Sequence, residues 1–224
     1  MPNYFIFPRR LLLLSPVALL SCEQNNLSEE DKALAHKFRG LRGGQLKVDA
    51  FGEKRGVNIF DEQGWLFFSR ATVSAHNRST RSYGAEFGVP KALRVEWRDK
   101  IVMEEDGALK RGLPDGSYYG GTVLGDYTVP IASRIPEELL VELRKNGGGF
   151  RLKIRIHDDG PLIGWDIERE RGSAPDGSRH HQVGGDFREA YGVNIYKPHG
   201  KSIHYMEKGW YIHPKTGERI KTDF

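Results

Sequence analysis

The sequence predicts a β-rich α+β fold, in which antiparallel sheets form a sandwich-like, two-layer core with one main helix and a short N-terminal helix. Three observations lead to this class. The 27 glycines among 224 residues indicate many turns. Short segments that alternate apolar and polar residues recur along the chain, as expected for half-buried strands. Clear start and stop signals of a helix occur in two segments.

The two helices are predicted from their ends. The first starts at Ser28, an N-cap residue followed three positions later by Asp31, which makes a weak capping box. The second covers residues 136–146, with Pro136 in the first helical position, acidic residues at the start and basic residues at the end. Three glycines at 147–149 stop this second helix.

The remaining segments are predicted to be strands and loops. Residues 103–121 are polar and rich in glycine and 171–200 contain turn residues throughout, which predicts two long loops. Pro130 places the end of one strand at a sheet edge. Apolar alternation and turn residues predict strands at 57–60, 65–75, 93–97, 121–131, 150–157, 163–168, 209–213 and 218–222.

Residues 150–168 predict a β-hairpin. Apolar and charged residues alternate on both sides of Asp159 and Gly160, a pair that favours a two-residue turn. With that turn, one register brings apolar residues together on one face and opposite charges together on the other. The predicted opposed pairs are Leu152–Ile167, Ile154–Trp165, Ile156–Ile163, Arg151–Glu168 and Lys153–Asp166.

The charged face of this hairpin has two interpretations. The row Arg151, Lys153 and Arg155 has the composition of an anion-binding stripe. Carboxylates on the opposite strand would compensate most of that charge. We therefore predict a solvated face with ion pairs.

The N-terminus has the features of an export signal. Arg9 and Arg10 precede a ten-residue apolar run, which is shorter than the about 20 residues that a bilayer span needs. The run ends in Leu-Leu-Ser followed by Cys22, a sequence that resembles the bacterial lipobox. That resemblance implies cleavage before Cys22, attachment of lipid to its thiol and anchoring of the mature chain to a membrane.

The lipobox divides the chain into three predicted parts: a cleaved signal at 1–21, a lipidated tether with the short helix at 22–44, and a single β-rich globular domain at 45–224. Glu23 stands where inner-membrane lipoproteins usually have Asp, so the prediction is the outer membrane, on its periplasmic side. Cleavage removes two arginines and lowers the net charge from +4 to +2, which does not favour nucleic acid as a partner. Cys22 is the sole cysteine, so the domain lacks thiol chemistry and disulfides.

The sequence offers no catalytic motif. HExxH, P-loop, Gly-x-Ser-x-Gly and GxGxxG patterns are absent from it. The segment His157-Asp158-Asp159 together with His180 and His181 has ligand types for a metal, but the spacing matches no known pattern and a hairpin turn explains it as well. Asp166 and Glu168 belong to the ion-paired face rather than to a glycosidase pair. We therefore predict no enzyme, no catalytic residue, no cofactor and no metal.

Three stretches of the chain carry a further resemblance. Residues 126–170, 184–190 (GGDFREA) and 209–220 (GWYIHPKTGERI) resemble a proteobacterial lipoprotein family found beside type VI secretion phospholipase effectors. Members of that family are thought to be immunity proteins. The resemblance implies that the chain binds and neutralises a secreted phospholipase toxin by covering its active-site entrance. Candidate contact segments are Tyr118-Tyr119, the predicted loops at 103–121 and 171–200, and the helix at 136–146.

Two other function classes remain open from the sequence. The chain could be an envelope structural or assembly lipoprotein that binds another protein or a glycan. It could also be a periplasmic enzyme, a class that a pocket gathering His157, His180 and His181 around one metal would favour.

Overall fold

The computed structural model describes residues 28–41, 44–77, 79–83, 88–102, 116–169, 180–196 and 202–223. The chain divides into two units, Met1–His36 and Lys37–Phe224. Helix α1 (Glu29–Lys37) begins as predicted, because the Ser28 Oγ accepts the backbone N–H of Asp31 at 3.1 Å. The Ser28 hydroxyl also donates to the Asp31 carboxylate at 2.6 Å, so the side chains of the capping pair contact each other.

The unit Lys37–Phe224 consists mainly of strands, with helix α2 (Glu137–Asn146) and a short 3-10 helix (Ala132–Arg134). The strands are β1 (Gly44–Ala50), β2 (Lys54–Asp61), β3 (Leu66–Val73), β4 (Ser79–Tyr83), β5 (Ala92–Arg98), β6 (Val123–Pro130), β7 (Gly149–His157), β8 (Gly160–Glu168), β9 (His180–Gly185), β10 (Phe187–Arg188), β11 (Tyr191–Tyr196), β12 (Ser202–Glu207), β13 (Gly209–Ile212) and β14 (Arg219–Thr222). This content confirms the predicted α+β, β-rich class.

The strands form two large sheets and two small ones. A five-stranded sheet has the order β4-β1-β7-β8-β9, and a four-stranded sheet has the order β3-β2-β5-β6. Strands β10, β13 and β14 form a three-stranded sheet, and β11 pairs with β12. Among the strands that the structure describes, all pairs are antiparallel, as predicted, except β1 and β7, which run parallel. Strand β6 is an edge strand and ends at Pro130, which confirms the edge position predicted for that residue.

One hydrophobic core joins the two large sheets and α2. The five-stranded sheet contributes alternate residues of β1, β7 and β8, and the four-stranded sheet contributes residues of β2, β3 and β5. Among the core side chains are Leu46, Val48, Val57, Ile59, Phe68, Val95, Trp97, Leu152, Ile154 and Trp165. Burial of this shared apolar surface is the main favourable contribution to folding.

Helix α2 covers one part of the core. Leu139, Leu140 and Leu143 are buried on one face. The helix ends as predicted, at Gly147, which has a φ of 71° and donates its N–H to the Leu143 carbonyl at 2.9 Å. Pro136 is the N-cap residue rather than the first helical residue, with extended backbone angles and no capping side chain.

The β7–β8 hairpin forms with a register different from the predicted one. Asp158 and Asp159 are the two turn residues, and Gly160 pairs with His157. Ile154 therefore lies opposite Ile163 rather than Trp165, a shift of two positions. Since side chains alternate with a period of two, this shift leaves every residue on its predicted face, and the pattern alone could not exclude it.

The charged face of this hairpin is buried, which corrects the prediction of a solvated face. Arg155 has no exposed surface, and Lys153 and Arg151 are 2% and 8% exposed. The segment after β8 supplies part of the cover: the ring of Phe187 in β10 lies 4.4 Å from the guanidinium of Arg155. The predicted loop at 171–200 is also wrong where the structure describes it, since β9, β10 and β11 lie there. Strands β9 and β10 are short and lack the apolar alternation by which longer strands are found, whereas β11 alternates Tyr191, Val193 and Ile195 with Gly192 and Asn194 and was missed among the turn residues around it.

Candidate functional site

Six charged side chains on the outer face of the five-stranded sheet, together with Glu189 after β10, form one largely buried ion cluster. Its members are Lys47, Asp49, Arg151, Lys153, Arg155, Asp166 and Glu189. They lie there because β1 and β7 run side by side in parallel register, with Lys47 level with Lys153 and Asp49 level with Arg155. The alternation of each strand turns these residues away from the apolar core.

In the ion cluster two arginines each bind one carboxylate through both of its oxygens, and one of these carboxylates also contacts a lysine. Arg155 donates to both oxygens of Asp49, at 2.7 and 3.1 Å, and Arg151 donates to both oxygens of Asp166, at 2.9 and 2.6 Å. Lys153 lies 3.3 Å from the Asp166 carboxylate. The sequence correctly indicated ion pairs on this face, but it could not indicate Asp49, which comes from a strand more than 100 positions earlier.

Glu189 is the carboxylate that closes the cluster. It contacts Lys47, Arg155 at 3.3 Å and Lys153 at 3.6 Å. Burial alone would raise its pKa, but the charges of Lys153, Lys47 and Arg155 outweigh that effect and lower the pKa to about 2. The cations of this face are thus engaged by carboxylates of the same chain, and the cluster has the geometry of a structural network rather than of an anion-binding site.

A second cluster, the histidine corner, consists of His157, Asp159 and His213, with Lys215 beside them. His157 and Asp159 come from the end and turn of the β7–β8 hairpin, and His213 follows β13. The Asp159 Oδ2 lies 3.8 Å from the His157 Nδ1 and 3.4 Å from the His213 Nε2, and its other oxygen contacts Lys215. Contact with Lys215 lowers the pKa of Asp159, whereas burial and the neighbouring His213 lower the pKa of His157.

The hydrogen bonds of the histidine corner do not suit a metal ion. The His213 Nδ1 accepts the backbone N–H groups of Lys215 and Thr216 at 3.2 and 3.3 Å, so the proton of the neutral ring resides on Nε2, the atom that faces Asp159. The His157 Nδ1 accepts the N–H of Asp159 at 3.1 Å. Metal-binding histidines instead donate their second nitrogen to a hydrogen-bond acceptor.

The residues considered from the sequence as a metal set are only partly brought together. His157 and Asp159 meet His213, which sequence spacing gave no reason to select. Asp158 points to another partner, Lys54, at 3.0 Å. His180 and His181 lie in β9, and their side chains are outside the described part of the structure.

The most exposed large apolar side chain that the structure describes is Trp65, at 70%. It lies in the turn between β2 and β3, where the Asp61 Oδ1 accepts the N–H groups of Gln63 and Trp65 at 2.9 and 2.8 Å. Gly64 has a φ of 82° and donates its N–H to the Asp61 carbonyl at 3.1 Å. The turn that presents the indole is therefore held by several hydrogen bonds.

A depression lies beside this turn, and together they form what we name the Trp65 surface. The depression is lined by Phe60, Asp61, Glu62, Gly64, Ala92, Arg94 and Thr128. The guanidinium of Arg94 lies 5.7 Å from the Phe60 ring and makes two 2.7 Å hydrogen bonds to Asp126. The Asp126 interaction is the main cause that raises the pKa of Arg94. The surface thus combines an aromatic floor, an exposed indole and a charged rim.

The sequence did not indicate Trp65, and the contact residues that it did predict are less accessible. Tyr118 and Tyr119 are half-buried, and the segment that carries them is attached to the four-stranded sheet. The Asn58 side chain both donates to the Tyr118 carbonyl and accepts the Tyr118 N–H, each at 2.8 Å. On helix α2, Val141 remains 51% exposed. Of the predicted loops, residues 103–115, 171–179 and 197–200 are outside the described residues.

The predicted lipid site, Cys22, also lies outside the described residues. Within the part of the chain that is described, neither helix has the length and apolar character needed to cross a bilayer. Comparisons of the chain with family models, curated proteins and solved structures found no match.

Proposed function

We propose that the chain is a periplasmic lipoprotein, anchored to the outer membrane through Cys22, that binds a secreted type VI phospholipase toxin and neutralises it without catalysing a reaction. The identity of the toxin class comes from the sequence resemblance. The observation that supports a binding role is Trp65, an indole held out into solvent beside a depression.

Contact of the apolar Trp65 indole with water is unfavourable, and a bound partner would cover the indole. A tryptophan side chain buries a large apolar area when it is covered, and tryptophan is enriched among the residues that dominate protein interfaces. The hydrogen-bonded turn from Asp61 to Trp65 fixes the backbone before binding. Binding at this turn therefore loses less conformational entropy than binding at a mobile loop would, because the backbone of the turn is already ordered.

The surroundings of Trp65 also fit a protein interface. The depression offers the Phe60 ring as an apolar floor, and Glu62, Arg94 and Asp126 as a polar rim. Interfaces of standard size bury about 800 Å² on each partner, with an aromatic centre and a polar edge. A phospholipase must leave the entrance to its active site open to lipid, and a domain seated across that entrance would exclude the substrate.

The lipid anchor would place this surface where the toxin acts. Two or three acyl chains hold a protein stably at a bilayer, whereas one chain gives marginal binding. Attachment to the attacked envelope raises the effective concentration of the inhibitor near the toxin.

Co-expression tests the role. A type VI phospholipase effector from the same cell is directed to the periplasm alone, with this protein, or with the Cys22→Ala variant. We expect full protection from the intact protein and weaker protection from the variant that cannot be lipidated. Equal killing in all three cultures would refute the proposal.

Substitution of Trp65 tests the surface. We expect Trp65→Ala to weaken toxin binding about 30-fold, equivalent to the 2 kcal/mol that marks an interface hot spot. Leu124→Ala is the matched control, because Leu124 is an apolar side chain on β6 with 60% exposure. Titration calorimetry with purified toxin measures both variants, and equal affinities would remove Trp65 from the interface.

A further inference from the structure

The three-stranded sheet of β10, β13 and β14 has one face that is basic and aromatic. In its register Arg188 lies opposite Trp210, and Trp210 lies opposite Lys221. Ile212 lies opposite Arg219 in the next row. Residues opposite each other in antiparallel strands project to the same side, so these five side chains share one face.

The other face of this sheet points into the protein. Phe187, Tyr211 and Ile220 form its matching row. Phe187 is buried against the cations of the ion cluster, and the Tyr211 ring lies 4.7 Å from that of Phe51. The face with Trp210 is therefore the outward one, which agrees with the exposure of Arg219 and Lys221. We name it the basic face.

The exposed charged residues of the basic face, Arg219 and Lys221, are both cations. Its outward strand positions hold Arg188, Arg219, Lys221, Trp210 and Ile212, of which Arg219 and Lys221 are exposed and Arg188 is half-buried. The guanidinium of Arg219 stacks 4.0 Å from the Trp210 ring. By contrast, Arg94 and Arg98 on the four-stranded sheet each contact the Glu96 carboxylate of the same sheet.

We propose that the basic face rests against an anionic phospholipid surface. The phosphates of lipid headgroups complement the exposed cations Arg219 and Lys221, and basic residues near such a surface are attracted by its negative potential. Tryptophan is enriched at membrane–water interfaces, where its apolar ring and polar N–H meet both phases. The inference rests on the proposed lipid anchor at Cys22, which would hold the domain near a bilayer.

The proposed contact would orient the domain. The basic face belongs to a different sheet from the Trp65 surface. Lipid and toxin would therefore bind to different strands of the same domain. An acyl anchor on a tether fixes distance but not orientation, and a weak second contact supplies the orientation.

Sedimentation with vesicles tests this contact without the anchor. A chain of residues 23–224 retains every residue of the hydrophobic core, since that core lies within 38–224. We expect it to bind vesicles of equal parts phosphatidylcholine and phosphatidylglycerol, and not vesicles of phosphatidylcholine alone. Each cation removed weakens partition about fivefold, so Arg219→Gln with Lys221→Gln should weaken it about 25-fold.

The matched control removes two cations elsewhere. Lys100 and Lys145 are exposed and lie outside the basic face, so Lys100→Gln with Lys145→Gln gives the same net charge. We expect partition to remain within about twofold of the parent. Equal loss in both double variants, or equal binding to both kinds of vesicle, would overturn the proposal. So would binding of polyglutamate as tight as binding of the anionic vesicles, because the face would then fit an acidic protein.

The outcome can be separated from that of the toxin experiment. Affinity for purified toxin depends on the Trp65 surface and not on Arg219 or Lys221. A double variant that loses vesicle binding and keeps toxin affinity supports both proposals. Loss of toxin affinity in that variant would contradict the assignment of the basic face to lipid.

Discussion

The outer faces of the two large sheets carry similar charge patterns but differ in burial: every cation of the row on β7 is buried, whereas on β5 Glu96 is buried and Arg94 is exposed. On β7 the row Arg151, Lys153 and Arg155 is buried. On β5 the charged positions include Arg94, whose side chain is 47% exposed and pairs with Asp126 across the sheet. The difference comes from what lies over each face, since residues of the segment after β8, such as Phe187 and Glu189, contact the cations of the five-stranded sheet.

This difference decides what the ion pairs contribute. An exposed pair has a weak interaction in water, and ordering two long side chains offsets much of it. A buried pair has a much stronger interaction, but removing its charges from water is costly, so the net contribution of the intact pair is modest. Removal of one partner of a buried pair is strongly destabilising, because it leaves an uncompensated charge in the interior.

The largest expected effect is therefore at Arg155. Arg155→Met removes the partner of Asp49, which is 2% exposed, and we expect the free energy of unfolding to fall by about 3–5 kcal/mol. Urea denaturation monitored by circular dichroism measures the loss. The double variant Asp49→Leu, Arg155→Met should recover most of the stability, because both charges are then absent. If the double variant were less stable than Arg155→Met, the lost ion pair, rather than the unpaired charge of Asp49, would account for the loss of stability.

The charge of Glu189 makes the free energy of unfolding depend on pH, which gives a second test of the buried face. Its folded pKa of about 2 lies below the usual 4.5, so the carboxylate stabilises the fold above pH 4.5 and loses that contribution as the pH falls towards 2. We expect Glu189→Gln to lower stability by about 3 kcal/mol at neutral pH, since each pKa unit corresponds to about 1.4 kcal/mol.

The check is the difference in unfolding free energy between the parent and Glu189→Gln across this window. That difference should shrink steadily from pH 4.5 downward. A difference that stays constant would mean that Glu189 contributes through packing rather than through its charge.

The same comparison shows what the sequence could predict. Local signals were sufficient for the cap at Ser28, the end of α2 at Gly147 and the two terminal strands β13 and β14. Alternation assigned each residue of β7 and β8 to its correct face, but it could not fix the register, since a shift of two preserves the pattern.

Burial of the charged face could not be predicted, because it depends on contacts between distant parts of the chain. Asp49 meets Arg155 through the parallel pairing of β1 with β7, and Glu189 follows short strands with no apolar alternation. His213 joins His157 and Asp159 in the same way, across more than 50 positions. These contacts bring together turns and strand ends, which carry little periodic signal.

The smallest expected effect is at Arg94, on the exposed side of the comparison. Arg94→Met removes two hydrogen bonds to Asp126, whose carboxylate is half in water and can be solvated. It also removes a 3.4 Å contact to the buried Glu96, which keeps its contact with Arg98 at 3.3 Å. We expect a loss of at most about 1 kcal/mol, and a smaller one in high salt because exposed charges are screened. Urea denaturation at low and high salt measures both values. A loss as large as that of Arg155→Met would mean that the part of this outer face around Arg94 is also covered in solution, and the Trp65 surface beside Arg94 would then be closed to a partner as well.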